Sequence, residues 1–307
     1  MTTLLTGHGL VGARVVAQLR ARDEQVVVYD LVPPERGPGI VPIAGDLLDQ
    51  AALAAAVRLH RPERILHTAG LLTPAGVTQP HETVRVNVLG TAGVLEAARL
   101  EGTPRVVLAS SVVVYDPAVP TERVTEDHPC APPTVYAATK RSAELICGTY
   151  ARAFGLSVLV LRFAAVYGPA DRPGGGVSRL IHDTLRAAIA DGRASLKRRW
   201  PGRQELLYAE DAAGALIAAG DATAPRHDTF NIGSGQPVTV AELAGAIGVA
   251  AGGAEVLLAE PHADANPHVI DAPLDLSRAA EELRWRPRFD LEHGLSEHAA
   301  WLRARRR

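Results

Sequence analysis

The sequence predicts an α/β protein with a doubly wound parallel sheet and a smaller second unit formed late in the chain. Short runs of β-branched and apolar residues alternate with longer runs rich in Ala, Leu and Arg, which is the pattern of successive β-α-β units. The apolar runs alternate little with polar residues, as expected for strands buried on both faces. The chain has 307 residues, of which 47% are hydrophobic, so it can form one large domain and a smaller cap.

Each predicted strand is a short apolar run, and each predicted helix is a longer run rich in Ala or Leu. In chain order the expected elements are strand Thr3–Leu5, helix Gly12–Arg22, strand Gln25–Tyr29, helix Leu48–Leu59, strand Arg64–Thr68, helix His81–Leu100, strand Arg105–Ala109, helix Tyr136–Phe154, strand Ser157–Arg162 and helix Val177–Ala190. The last helix follows a loop rich in Gly and Pro over 168–176, where the regular alternation ends.

The chain is expected to leave its first domain near that loop and to return to it later. We predict a nucleotide-binding domain over 1–165 and 203–232. The segments 166–202 and 233–307 are predicted to form a discontinuous C-terminal cap that binds the substrate. Domain interfaces are common ligand sites, so we expect the functional site in the cleft between the two units.

Composition excludes several other classes of protein. The formal net charge of −2 gives no reason to expect nucleic acid or a membrane as a partner. Only Cys130 and Cys147 are cysteines, too few for a disulfide framework or a thiolate metal site, and the 11 histidines lack metal-ligand spacing. The N-terminus leads directly into a strand, and no apolar run is long enough to span a membrane. We therefore predict a soluble, cytoplasmic protein without a metal site.

A glycine motif directly after the first strand predicts a dinucleotide-binding loop. It fits G-x-G-x-x-G at the opening of a helix, and its expected cofactor contacts are Gly7, Gly9, Leu10, Val11 and Gly12. Glycines permit a tight turn and let the backbone approach a pyrophosphate, which then lies at the helix N-terminus. A glycine turn between a strand and a helix also has purely structural uses, so the residues around it must show whether it binds a dinucleotide.

Carboxylates after the next two strands are candidate contacts for the nucleotide. Asp30 ends the second strand, 18 residues beyond Gly12. A carboxylate there can accept hydrogen bonds from a ribose diol and would repel a 2′-phosphate, which favours NAD over NADP. The alternative is a turn residue at the end of the strand. Asp46 and Leu47 follow the apparent third strand and could hold the adenine, or Asp46 could cap a helix.

A Tyr and a Lys at the start of a predicted helix provide the chemistry. Tyr136 and Lys140 are four residues apart, so they share one helix face. A phenol of pKa about 10 is a weak base near neutral pH, but an ammonium one turn away favours the phenolate. Ser111, at the end of a strand, can orient the substrate oxygen. These groups predict proton-coupled hydride transfer at a secondary alcohol. The alternative is a buried Tyr beside a surface Lys.

Several further strings accompany these motifs. They are HTAG at 67–70, VNVLGT at 86–91, ASSVVVY at 109–115, LRF at 161–163, VYGP at 166–169, YAED at 208–211, FNIG at 230–233, DLSR at 275–278 and LRWRP at 283–287. With them the chain resembles the extended short-chain dehydrogenase/reductases of the NAD-dependent epimerase/dehydratase family over essentially its whole length. The resemblance implies a Rossmann-type sheet, a substrate-binding C-terminal cap, and a homodimer built on the helices near 87–100 and 136–154.

The resemblance also implies roles for individual residues. The implied catalytic set is Ser111, Tyr136 and Lys140, of which Tyr136 and Lys140 also contact the cofactor. Further cofactor contacts are expected at Thr68, Ala69, Gly70 and Asn87. Substrate contacts are expected at Thr73, Ser110, Ser111 and Ala165.

Four departures from the family pattern bear on the reaction. The glycine loop is one residue shorter than the usual G-x-x-G-x-x-G. Val112 and Val113 follow Ser111, where dehydratases carry an acidic residue, so 4,6-dehydration is not expected. Ala165 stands where many nucleotide-sugar enzymes have an Asn, and no clamp of the Arg-x-Gly-Asp type precedes Asp275.

The missing clamp leaves a basic group as the candidate anchor for a substrate phosphate. Its members are Lys197, Arg198, Arg199 and Arg203; the alternative is a solvated positive loop. Arg172, in a stretch that resembles uronic-acid-type sugar-nucleotide epimerases, could face a carboxylate. The segment 71–74 lacks the basic residue often found there and looks closer to family members that oxidise small hydroxy acids.

Three functions stay open at this point. The first is a (nucleotide-)sugar epimerase, in which bound NAD takes a hydride from a sugar carbinol and returns it to the other face. The second is a dehydrogenase or ketoreductase of a small sugar or hydroxy acid, which uses the same groups once and exchanges its cofactor. The third is a non-catalytic NAD-binding regulatory protein of the same fold. The intact Ser111, Tyr136 and Lys140 argue against the third, and we favour the epimerase.

Overall fold

The computed structural model describes residues 1–170, 174–197, 200, 202–258 and 271–305. Its strands are β1 (Thr2–Thr6), β2 (Gln25–Asp30), β3 (Ile40–Ala44), β4 (Arg64–His67), β5 (Arg105–Ser111), β6 (Ser157–Phe163), β7 (Ala165–Tyr167), β8 (Arg193–Leu196), β9 (Arg203–Tyr208), β10 (Thr229–Ile232), β11 (Pro237–Thr239) and β12 (Glu255–Leu258). Its α-helices are α1 (Leu10–Ala21), α2 (Gln50–His60), α3 (Thr73–Thr78), α4 (Pro80–Val84), α5 (Gly90–Glu101), α6 (Val135–Phe154), α7 (Val177–Asp191), α8 (Ala209–Asp221), α9 (Val240–Ala250), α10 (Ser277–Glu282) and α11 (Leu291–Ala304).

A seven-stranded sheet forms the centre of the molecule, with the strand order β10-β6-β5-β4-β1-β2-β3. All neighbouring strands in it run parallel. The order reverses between β1 and β4, and ligands of open parallel sheets bind outside the carboxyl ends of the strands at such a point. The predicted Rossmann-type sheet is confirmed, and its switch point lies beside the glycine loop.

Helices cover both faces of this sheet, and each face has its own core. On one face α1 packs against α8, and the core there includes Val15, Leu19 and Leu216. On the other face the core includes Leu53 of α2 and Val94 of α5. A parallel sheet needs such cover on both faces, which explains why its strands are almost uniformly apolar. None of the described helices is long and apolar enough to cross a membrane.

Two small sheets and their helices form the second unit. β7, β9 and β11 make a three-stranded sheet, and β8 pairs with β12. Side chains of α7, α9 and α11 form a separate core that includes Ile181, Leu243 and Leu295. The apolar residues of α7 therefore pack into this second core, so α7 belongs to the cap.

The chain re-enters the large sheet later than the predicted position at 203. The strand that begins there, β9, pairs with β7 and β11 of the small sheet. α8 returns against α1, β10 lies beside β6 at the sheet edge, and α10 packs against β10. The side chains of β9 explain the difference, because Leu206 and Tyr208 are buried in the cap core while Leu207 is buried in the core of the large domain.

The helix predicted over 81–100 is divided into α4, a π-helical turn over Arg85–Leu89, and α5. A π turn inserts one residue into a helix and is frequent at functional sites. This turn contains Asn87, whose side chain is buried and hydrogen-bonded to the backbone of Leu71. The hydrophobic period alone could not show such an insertion.

A buried arginine connects the amino-terminal ends of the central strands. Arg64 begins β4 and is 1% exposed. Its guanidinium donates to the Thr3 hydroxyl at 2.9 Å and to Glu24 Oε2 at 2.7 Å. It also donates to Asp221 at the end of α8. A buried charge must be paired and hydrogen-bonded to be tolerated, so this cluster stabilises the edge of the sheet opposite the glycine loop.

Arg64→Met should lower the free energy of unfolding by about 3 kcal/mol, because Glu24 and Asp221 would lose their buried partner. We expect the lower end of the range for a broken buried pair, since Arg22 still pairs with both carboxylates. The control is Arg58→Met, which breaks an exposed pair with Glu101 and should leave the free energy of unfolding almost unchanged. Urea unfolding of both variants measures the difference; equal losses would contradict the structural role of Arg64.

Candidate active site

The loop between β1 and α1 packs so closely against the end of β4 that two of its glycines have no room for a side chain. A Cβ on Gly12 would lie 2.0 Å from the Gly7 carbonyl oxygen. A Cβ on Gly7, whose φ is +92°, would lie 2.5 Å from the Ala69 nitrogen. A Cβ on Gly9 would meet nothing within 4 Å. Gly7 and Gly12 therefore maintain the fold, whereas Gly9 faces open space.

The open side of this loop fits the phosphate groups of a dinucleotide. α1 begins at Leu10, and its N-cap Gly9 has extended backbone and no side-chain cap hydrogen bond. A helix N-terminus attracts anions through its first N–H groups and its dipole. The Thr68 hydroxyl donates to the Gly7 carbonyl at 2.9 Å and fixes the loop to the end of β4. The predicted contacts from Gly7 to Gly12 and at Thr68 thus border one anion-attracting corner.

Asp30 lies at the end of β2 beside the glycine loop. Its Oδ2 accepts a hydrogen bond from the His8 amide at 2.6 Å, and its Oδ1 accepts one from the Val32 amide at 2.8 Å. The carboxylate therefore serves the strand-end turn. Burial lowers the pKa of the neighbouring His8, while Asp30 acts in the opposite direction. Binding of ribose by Asp30 stays a prediction.

Asp46 does not cap the next helix. The N-cap of α2 is Asp49, whose Oδ1 accepts from the Ala52 amide at 3.0 Å. Asp46 accepts from the Leu48 amide at 2.9 Å in the preceding turn. The N-cap alternative for Asp46 is wrong, because the helix starts three residues later than that alternative requires. Contact of Asp46 and Leu47 with the adenine stays a prediction.

Helix α6 brings Tyr136 and Lys140 to the carboxyl end of β5. Tyr136 is buried, and its phenol lies close enough to Ser111 for that side chain to lower its pKa. The Lys140 Nζ donates to the Ala109 carbonyl at 2.8 Å and lies 5.9 Å from the centre of the Tyr136 ring. The structure therefore brings the three predicted catalytic residues together.

Burial sets the protonation of this trio. It raises the pKa of Tyr136 to about 12, while the side chain of Ser111 acts in the opposite direction. It lowers the pKa of Lys140 to about 8, while the Glu144 carboxylate acts in the opposite direction. Near neutral pH the protein alone therefore holds a phenol and an ammonium. Tyr136 is thus an acid toward a bound carbonyl oxygen, and it becomes a base only with further positive charge nearby.

Gly70 and Asn87 form the wall beside Lys140. Asn87 Oδ1 accepts from the Leu71 amide at 2.7 Å, and its Nδ2 donates to the Thr139 hydroxyl at 3.0 Å. A Cβ on Gly70 would lie 2.9 Å from that Oδ1 and 3.7 Å from the Lys140 Nζ. The position thus has no room for a side chain, and both predicted cofactor contacts adjoin Lys140.

A cavity of about 1000 Å³ opens beside these groups. One wall is the segment 70–72, next to Lys140, and the opposite wall comes from α7 and β8 of the cap. The charged residues among its described lining are Arg179, Arg186, Lys197 and Asp183. Three cations against one carboxylate favour an anionic ligand.

Arg179 and Arg186 are lining residues that the sequence analysis missed. They are seven residues apart on the predicted helix, about two turns, so they share one face. That spacing was the available signal, but any amphipathic surface helix carries similar pairs. Of the predicted basic group, Lys197 lines the cavity.

Ser110 and Arg203 are not among the described residues that line this cavity, and their role as substrate contacts stays a prediction. Ser110 is buried, and its hydroxyl donates to Glu144 Oε1 at 2.6 Å, so it supports the contact between β5 and α6. Arg203 is paired with Glu242 at 3.0 Å and also donates to the Pro237 carbonyl at 3.0 Å. These bonds bind its guanidinium to the neighbouring strand and helix.

The remaining predicted substrate contacts have different positions. Thr73 begins α3, directly after the lining residue Leu72, and Ala165 begins β7. Neither is among the described lining residues. Arg172 and Arg199 lie outside the residues that the structure describes.

The chain matches the model of one protein family, the NAD dependent epimerase/dehydratase family, over residues 3–233. A UDP-glucose 4-epimerase of Mycolicibacterium smegmatis is 30% identical over 99% of both chains. A dTDP-glucose 4,6-dehydratase of Streptomyces antibioticus is also 30% identical, over 100% of this chain and 93% of that protein. Sequence identity alone therefore does not separate an epimerase from a dehydratase.

Solved structures show the same fold. A UDP-glucose 4-epimerase from Thermotoga maritima, crystallised with UDP-glucose, is similar with a TM-score of 0.88 and 26% identity over 100% of both chains. An L-threonine dehydrogenase from Cupriavidus necator, in its holo form, has a TM-score of 0.89 and 25% identity over 98% of this chain and 100% of that one. The fold thus accommodates enzymes of different substrates, and the site must decide between them.

Gly12→Ala should lower the free energy of unfolding by roughly 1–3 kcal/mol, since its methyl group would collide with the Gly7 carbonyl. Gly9→Ala should unfold like the parent protein, because a Cβ there meets nothing within 4 Å. It should nevertheless bind NAD roughly tenfold more weakly, because the methyl group enters the space of the pyrophosphate. Thermal unfolding and calorimetric titration with NAD measure both effects. Normal NAD binding by Gly9→Ala would contradict the assignment of the loop.

Proposed function

The chain belongs to the NAD-dependent epimerase/dehydratase family, and from that premise we propose that it is an NAD-dependent epimerase of a nucleotide sugar. One observation carries the proposal. The predicted trio of Ser111, Tyr136 and Lys140 lies beside a cavity of about 1000 Å³ whose charged lining is mostly cationic. Epimerisation of a sugar diphosphate needs this combination, because the carbinol carbon reacts while the diphosphate anchors the molecule.

The cofactor NAD would be held by the glycine loop and by Asp30. The N-terminus of α1 at Gly9 offers amide groups to the pyrophosphate. Asp30 offers carboxylate oxygens to a ribose diol and would repel a 2′-phosphate, which favours NAD over NADP. When bound, NAD supplies a hydride acceptor that can return the hydride to the substrate.

The trio moves and holds the proton at the substrate oxygen. Ser111 and Tyr136 present neighbouring hydroxyl groups at the end of β5, where they can orient a carbinol or carbonyl oxygen. Tyr136 takes the proton of that oxygen when the carbinol is oxidised and gives it back when the ketone is reduced. Lys140 provides a positive charge one turn away, which favours the phenolate during oxidation. If the ketone rotates in the site between the two steps, the hydride returns to its other face and the product is the epimer.

Arg179, Arg186 and Lys197 are proposed to hold the phosphates. A diphosphate carries about two negative charges, and charge-assisted hydrogen bonds from Arg are a usual means of binding it. The cavity volume of about 1000 Å³ lies at the upper end of the range for ligand pockets. It therefore suits a sugar with its nucleotide better than a small hydroxy acid.

An NAD-dependent dehydrogenase or ketoreductase of a small substrate is the second candidate. The segment 70–72 lines the cavity with Leu71 and Leu72, and offers no charged side chain to a sugar phosphate. The likeness to an L-threonine dehydrogenase also supports it. A 4,6-dehydratase is not proposed, because Val112 and Val113 carry no group that can move a proton. A non-catalytic NAD-binding protein would not need the intact trio.

The same family expectation leads us to propose a homodimer through α5 and α6. These helices pack against each other and leave large apolar side chains in solvent. Leu100 is 58% exposed, Leu145 is 56% exposed and Phe154 is 54% exposed. Exposed apolar groups on adjacent helices are characteristic of an interaction surface.

Tyr136→Phe should lower kcat by about 10² to 10⁴ fold and leave NAD binding unchanged, because it removes the proton donor without changing the packing. Tyr150→Phe is the matched control on the same helix, since its hydroxyl bonds only Glu96, at 3.2 Å, among the described hydrogen bonds. It should keep full activity. Steady-state kinetics and NAD titration measure both variants, and substantial turnover by Tyr136→Phe would overturn its assignment as acid and base.

Thermal unfolding of the NAD-loaded protein with UDP, dTDP or GDP tests the substrate class. One of these nucleotides should stabilise the protein by about 2.7 kcal/mol at 100 times its Kd. Arg186→Gln should reduce that effect, because Arg186 lines the cavity, whereas Arg152→Gln on the exposed side of α6 should not. Stabilisation by simple sugar acids, and by none of the nucleotides, would replace the epimerase with the small-substrate dehydrogenase.

A further inference from the structure

Helix α6 is attached to β5 by two side chains that lie one turn apart. The Lys140 Nζ donates to the Ala109 carbonyl at 2.8 Å, and the Ser110 hydroxyl donates to Glu144 Oε1 at 2.6 Å. The two contacts fall on consecutive residues of β5, directly before Ser111. Glu144 therefore holds the helix at the same place on the strand as Lys140 does.

The Glu144 carboxylate is itself rigidly held. It is 6% exposed and accepts a bidentate pair from Arg162, whose Nε lies 3.0 Å from Oε1 and whose Nη2 lies 2.8 Å from Oε2. Arg162 also donates to the Glu126 carbonyl at 2.9 Å, and its guanidinium lies 4.8 Å from the centre of the Tyr115 ring. Bidentate pairs fix geometry as well as charge. The carboxylate is thus fixed from β6 and in turn fixes α6.

We propose that Glu144 is a positioning residue for the trio, which keeps α6 in register on β5 and holds a negative charge one turn from Lys140. The inference rests on the proposed function, since that function gives the trio its role. Burial lowers the pKa of Lys140 to about 8, and the negative charge of Glu144 acts against this effect. Without the carboxylate, the ammonium form would be lost at a lower pH.

Other titratable and charged groups also face this pair. They are Tyr136, Arg141 and Cys147 on α6, His67 on β4, Arg162 on β6, and Cys130 in the loop before α6. Burial lowers the pKa of His67 to about 3 and raises the pKa of Cys147 to about 12, so neither changes its charge near neutral pH. Burial also raises the pKa of Cys130, and the arginines stay protonated. Among the described residues, the carboxylate that acts on Lys140 is therefore that of Glu144.

The composition of the chain makes this effect directly measurable. The sequence contains two lysines, Lys140 and Lys197. Protein labelled with ¹³C and ¹⁵N in lysine therefore gives two sets of side-chain NMR signals, and Lys197→Arg assigns them. The titration of Lys140 needs no substrate, so it tests the role of Glu144 independently of the proposed epimerase activity.

Glu144→Gln preserves the shape of the side chain and removes its charge. We expect the midpoint of the Lys140 titration, followed by NMR, to fall by about one pH unit. Turnover at pH 8, relative to that at pH 6, should then fall about fivefold, because less Lys140 stays protonated. Glu96→Gln on α5, which breaks an exposed pair with Arg99, is the matched control and should change neither quantity.

Ser110→Ala separates the two parts of the role. It keeps the carboxylate but removes the hydrogen bond from the strand, so it should lower kcat without moving the Lys140 midpoint. If Glu144→Gln does not fold, the double variant Glu144→Gln/Arg162→Met removes both buried charges. It should show a smaller fall of the Lys140 midpoint, because a neighbouring positive charge is lost as well.

An unchanged Lys140 midpoint in folded protein without the Glu144 charge would overturn the electrostatic part of the proposal. A normal kcat in Ser110→Ala would overturn the positioning part. If no nucleotide sugar turns over, the proposed function fails, while the NMR midpoint still decides the effect of Glu144 on Lys140.

Discussion

The docking of α6 on the end of β5 is the constraint on which the site depends. Ser111 comes from the strand, while Tyr136 and Lys140 come from the helix, so their spacing exists only in one register. A slip of one residue would rotate the helix by about 100° and move it by about 1.5 Å. Displacements of about 1 Å are enough to reduce catalysis strongly. The buried bonds of Ser110 and Glu144 oppose such a slip.

The large domain and the cap make separate contributions to this arrangement. The parallel sheet places the glycine loop, Asp30 and the trio along the carboxyl ends of its strands, which is where hydride chemistry requires them. The cap adds Arg179, Arg186 and Lys197 from α7 and the segment around β8. In the proposed function, the sheet therefore supplies the groups for the chemistry, and the cap supplies the groups that select the substrate.

Local patterns predicted the parts of the molecule that depend on neighbours in sequence. The spacing of Tyr136 and Lys140 and the glycine motif follow from helix geometry and turn sterics, and the apolar runs follow from burial in a parallel sheet. Contacts between distant segments were not predictable in this way. The hydrogen bond of the Ser110 hydroxyl to Glu144, 34 residues later, is one such contact. The sheet that β9 joins depends likewise on its pairing with distant strands.

Return of the hydride to the substrate carbon is the central claim, and an isotope label tests it most directly. The measurement uses a sugar linked to the nucleotide that stabilises the protein, with deuterium at the reacting carbinol carbon. Turnover is followed in the presence of NAD, with analysis of the sugar product and of free NADH. We expect the epimeric product to retain the deuterium, with no accumulation of free NADH. Deuterium in free NADH together with a ketone product would contradict an epimerase and identify a net dehydrogenase.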